Sequence, residues 1–144
     1  MNQNRRGIML GLLGVGLMSV LDGCSAAGPS AKVYHGLEIE VNKSVGHANN
    51  IRYTYGDEFI NYTKPSAGSI AAFSSYTAPM HVPEEFEISW ETPDGKKHEV
   101  KVPVRSRLSG SVENKTIVFV IMQDHVEGYL AVSTPYGQKR ERFY

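Results

Sequence analysis

Between Glu85 and Arg105 the chain writes a β-hairpin, and nothing else in it restricts the fold as tightly. Phe86, Ile88 and Trp90 alternate with Glu85, Glu87, Ser89 and Glu91, and Val100, Val102 and Val104 alternate with Lys101, Pro103 and Arg105. Wound as a helix, these apolar residues would scatter around the axis. As extended strands they line one face. Pro93-Asp94-Gly95 stands between the arms, proline presetting φ and glycine accepting a positive one. The glutamates of the first arm then lie opposite Lys97, Lys101 and Arg105 of the second, in pairs that contribute about 0.2–1 kcal/mol each. Pro103 has no N–H for a further neighbour, so the second arm belongs at an edge or ends there.

The same period of two recurs elsewhere. Leu37, Ile39 and Val41 alternate with Glu38, Glu40 and Asn42. After the turn signal Asn49-Asn50, Ile51, Tyr53 and Tyr55 alternate with Arg52 and Thr54 up to Gly56-Asp57. Short strands are expected at Phe59, Ile60 and Tyr62 and at Ser69 to Phe73, with Lys64 to Gly68 as a loop. Ser74 to Glu84 holds Pro79 and Pro83 without a clean period and reads as a long exposed loop. Ile117-Val118-Phe119-Val120-Ile121, within Thr116 to Met122, is continuous, β-branched and bounded by turn residues, the pattern of a central strand covered on both faces. Tyr129 to Thr134 alternates again. Pro135-Tyr136-Gly137 turns the chain into a last edge strand over Gln138 to Tyr144. No repeat and no helix emerges. The expected fold is an all-β antiparallel sandwich of about seven to nine strands, with a partly open barrel as the alternative.

A different signal precedes the domain. Arg5-Arg6 opens an apolar run from Ile8 to Met18, and Leu21-Asp22-Gly23-Cys24 follows, then the small residues Ser25 to Ala31. Charged, apolar and small segments in that order form a secretory signal, too short and too glycine-rich for a membrane span. Leu21-Asp22-Gly23-Cys24 resembles the bacterial lipobox, although Asp22 departs from the usual small or apolar residue. The resemblance implies that residues 1–23 are removed and that Cys24 is lipidated, with palmitate among its acyl chains. Residues 24–31 then form a tether and residues 32–144 one β domain. Ser25 in place of an aspartate implies the outer membrane, periplasmic face. The tether reaches at most roughly 25 Å, which keeps the domain near the bilayer. Losing Arg5, Arg6 and Asp22 leaves 13 basic and 14 acidic residues. That balance lacks the basic stripe of a nucleic-acid binder. With the one cysteine committed to lipid, stability rests on burial alone.

No catalytic or cofactor motif stands out. His35, His47, His81, His98 and His125 form no His-Glu-x-x-His pattern, and no second cysteine completes a thiolate metal site. Gly68-Ser69 lacks the rest of a nucleophile elbow. Asp124-His125 adjoin on a turn, where adjacency alone is not expected to orient a base. His98 reads as a surface residue on the polar side of the hairpin. Asp57-Glu58 reads as a solvated acidic pair rather than a cation site. The expectation is a binding module without enzymatic activity, metal or cofactor. Its candidate contact residues are Tyr76, Met80, His81 and Glu84, on the two-proline frame of the 74–84 segment. Tyrosine and methionine there call either for a partner that covers them or for a loop folded back on the sheet.

With the lipobox, the segments Tyr53-Thr54-Tyr55-Gly56-Asp57 and Pro83 to Lys96 (PEEFEISWETPDGK) resemble small bacterial lipoproteins. Relatives of that kind serve as immunity proteins against type VI secretion phospholipase effectors. The resemblance implies a lipase effector as partner, bound and neutralised in the periplasm. Two other classes stay open: a structural or assembly lipoprotein of an envelope secretion complex, and a small-ligand carrier, which needs a barrel with an internal cavity.

Overall fold

The computed structural model describes residues 31–57 and 74–144. Among these residues eight strands build two stacked sheets: β1 (Val33–Val41), β2 (Asn49–Tyr55), β3 (Ser74–Met80), β4 (Glu85–Glu91), β5 (Lys97–Pro103), β6 (Thr116–Ile121), β7 (Val126–Thr134) and β8 (Gly137–Arg142). One sheet has the order β3-β1-β6-β7-β8 and the other β2-β4-β5. They do not close into a barrel, so the sandwich stands and the barrel alternative falls. The signal, Cys24 and the strands expected at 59–62 and 69–73 lie outside the described residues.

The hairpin forms β4 and β5 in the expected register. Phe86 pairs with Val102, Ile88 with Val100, Glu87 with Lys101 and Glu91 with Lys97. The Thr92 N–H donates to the Lys96 carbonyl at 2.9 Å across the turn, and Gly95 takes φ +82°. His98 corrects the expectation: it shares the parity of Val100 and pairs with Trp90, so it faces inward and stacks on the indole with centroids 5.0 Å apart. The core forms where the inner faces meet. Phe86 of the smaller sheet stacks on Phe119 of the larger at 3.8 Å, with Leu37, Ile39, Ile88, Trp90, Ile117 and Ile121 buried around them. Each such side chain contributes about 1.5–3 kcal/mol on burial.

β6 is central and buried on both faces. Ile117, Phe119 and Ile121 point into the sandwich, while Val118, Val120 and Ala131 of β7 form a second buried cluster on the outer face. Above that cluster Arg140 of β8 reaches across to Glu40 of β1 with two hydrogen bonds, 2.8 and 2.6 Å, shielding the apolar floor from water. One pairing departs from the antiparallel expectation. β1 runs parallel to β6; between them the chain passes through β2 of the small sheet, returns to the large sheet as β3 on the other side of β1, and crosses to β4 and β5 before it enters β6. Asn49-Asn50 also behaves differently from a free turn. It begins β2, with Asn50 at φ +51° and a register shift before Arg52.

Candidate functional site

The segment read as a loop is largely a strand, and this correction defines the site. Ser74–Met80 pairs antiparallel with β1 along its whole length, from Ile39↔Ser74 to Val33↔Met80. The backbone of β1 decides which way that of β3 points. The Gly36 N–H donates to the Lys115 carbonyl, and the Tyr34 carbonyl accepts from the Asn114 N–H, so the even residues of β1 face β6. Its odd residues therefore face β3, where they meet Ser74, Tyr76, Ala78 and Met80. The remaining β3 residues, Ser75, Thr77 and Pro79, turn their backbone groups to the open side. Pro79 thus lacks an N–H where none is needed for the ladder, as edge strands allow.

The candidate residues separate. Tyr76 is 48% exposed, because it stands at the sheet's margin. Met80 is 1% exposed and packs in the core. It is not available to a partner: the alternative in which the segment folds back holds for Met80. His81 and Glu84 follow β3 and line a groove of about 300 Å³ with Asp57, Pro83, Glu85 and Arg105. The Arg105 guanidinium donates to the Glu84 carboxylate and to the Val82 carbonyl, closing one wall. Asp57 and Glu85, both exposed, leave the groove acidic. Tyr34, 52% exposed, lies on the other face of the same strand pair, opposite Pro79. Its parity with Glu38 and Glu40 was the sequence signal for outward exposure.

β3 is also tied into the sandwich from behind. The Tyr53 hydroxyl of β2 lies 2.8 Å from Ser74 Oγ. His35, fully buried and paired with Ala78 of β3, donates from Nδ1 to the Val33 carbonyl at 2.7 Å, and its Nε2 accepts from the Tyr55 hydroxyl at 2.8 Å. Burial holds the His35 imidazole below its ordinary pKa and pushes the Tyr55 phenol up. The two tyrosines are thus polar bridges between sheets, and β3 is presented on a rigid support.

Asp124 and His125 differ from expectation. The His125 Nδ1 donates to the Asp124 carboxylate at 2.7 Å, and the bond holds that carboxyl below its ordinary range. The other imidazole nitrogen lies 3.9 Å from Glu127, another carboxylate rather than a nucleophile, and both members of the pair are exposed. Among the described residues no group of three or more His, Cys, Asp or Glu side chains is placed to hold a metal ion. Comparison with protein-family models, with curated proteins and with solved structures returned no match for this chain.

Proposed function

We propose that the chain is a lipid-anchored, periplasm-facing binding protein that neutralises a phospholipase effector of a type VI secretion system by occupying it. One observation carries the choice of surface: Tyr76, a half-exposed aromatic, stands on the outermost strand of a sandwich whose inner faces are filled. An aromatic anchor held on a rigid element binds with little loss of side-chain freedom, and such an anchor supplies about 2 kcal/mol or more of an interface. Cys24 is the lipidated residue in this reading, and Tyr76, His81 and Glu84 belong to the contact region, without Met80. The two open sheets weaken the carrier alternative, which needs a barrel with an internal cavity.

The test is a titration of any lipase encoded beside the gene with the purified chain, following release of fatty acid from phospholipid vesicles. Inhibition that is complete at one molecule per lipase is the expected result. A lipase that works unchanged in excess protein contradicts the proposal and puts the structural lipoprotein in front.

A further inference from the structure

Among the described residues four strands form the margins of the two sheets, and three of them carry charge. β2 has Arg52 and an irregular register, β5 has Lys97, Glu99, Lys101 and a terminal Pro103, and β8 has Lys139, Arg140, Glu141 and Arg142. Charge, proline and bulges are the devices that keep sheet edges from pairing with other chains. β3, Ser-Ser-Tyr-Thr-Ala-Pro-Met, carries no charge at all. On its open side it offers the N–H groups of Ser75 and Thr77 and the carbonyls of Ser75, Thr77 and Pro79. Among the described residues no backbone group pairs with them.

From this we propose that β3 is a docking template: the partner inserts an extended segment beside it and continues the five-stranded sheet by one strand. The inference rests on the lipase reading for the partner's identity and adds how the partner is held. Main-chain bonds to Ser75 and Thr77 supply the pairing, and Tyr76 supplies the side-chain contact. The surroundings define the segment's chemistry. Along β3 it is uncharged, since β3 itself supplies no charged side chain to pair with. At the Met80 end it carries a lysine or arginine, because the strand leads into the groove whose described lining sets the carboxylates Asp57, Glu84 and Glu85 against one guanidinium, Arg105. A second copy of this chain fits less well. Seven residues of β3 on each side fall far short of the roughly 20–30 residues a side of a stable interface. A partner of different shape can cover the edge and the groove together.

The experiment is residue-resolved amide hydrogen exchange on the full chain, alone and in complex with the lipase encoded beside the gene. The alternation of β3 makes a specific signature. Tyr76 and Ala78 already bond to β1 and are slow in both states, whereas Ser75 and Thr77 exchange fast alone and slow by at least about tenfold in the complex. Thr77→Pro removes one outward N–H without breaking a bond to β1, and is expected to weaken the complex at least about tenfold while the fold persists. Asp57→Asn with Glu85→Gln weakens it in a way that salt no longer modulates. A complex in which Ser75 and Thr77 still exchange fast, or one that tolerates Thr77→Pro, overturns strand addition and leaves the lipase reading intact. A salt response unchanged by the acidic double variant overturns the basic flank. No complex at all overturns both the lipase reading and the inference built on it.

Discussion

At the scale of single residues, His35 is the most consequential side chain that sequence reading left without a role. It lies in the interior between the Val33 carbonyl and the Tyr55 hydroxyl. A charged imidazole would carry a proton on both nitrogens, and the Tyr55 hydroxyl could no longer donate to it. The folded-state pKa is lowered, so the unfolded chain binds the proton first. Stability is therefore fully present above the unfolded value of about 6.5 and is lost as pH falls from there through the folded pKa. Melting temperature is expected to drop between pH 7 and pH 5. His35→Gln, which can still donate to Val33 and accept from Tyr55, is expected to flatten that dependence. An equally steep profile in the variant would assign the proton to another group. Nothing in the sequence announces the pair, because His35 and Tyr55 are twenty positions apart and belong to different sheets. The inward aspect of His98, by contrast, was legible: it continues the parity of Val100 and Val102.

At the scale of elements, the hairpin and the missed strand make the contrast. β4 and β5 were legible because each has one wet and one buried face, and the alternation records that directly. Their two faces differ in energy. Trp90→Ala empties the space beneath His98 and is expected to cost about 3–5 kcal/mol by denaturant unfolding. Lys101→Ala, which removes the 2.5 Å partner of Glu87 on the wet face, is expected to cost less than about 1 kcal/mol. Equal losses from the two would mean that the register is inverted. β3 was illegible for the converse reason. An edge strand at the margin is wet on most of both faces, so Ser75, Tyr76 and Thr77 show no alternation. Pro79 then reads as a breaker, although its missing N–H faces outward and costs the ladder nothing. The parallel pairing of β1 with β6 was equally hidden, since a strand's own pattern says which face is buried and not which neighbour it takes.

At the scale of the whole molecule, the two sheets divide the work. Phe86 on Phe119 and the residues around them hold the sandwich together. The Arg140–Glu40 clasp closes the outer face, and the tyrosine bridges brace the flank where β3 is the outermost of the described strands. Of the four candidate residues of the 74–84 segment, Tyr76, His81 and Glu84 are at least partly accessible and Met80 is buried, a division that the segment's unpatterned sequence does not show. In the proposed function this flank meets a lipase, and two exposed tyrosines can be compared in the inhibition titration. Tyr136 is fully exposed at the turn between β7 and β8, at the opposite margin of the large sheet. Tyr76→Ala is predicted to weaken inhibition at least about tenfold, or about 1.4 kcal/mol, with circular dichroism unchanged, while Tyr136→Ala inhibits like the parent. Full inhibition by Tyr76→Ala, or a loss confined to Tyr136→Ala, would place the lipase contact elsewhere than on the β3 flank.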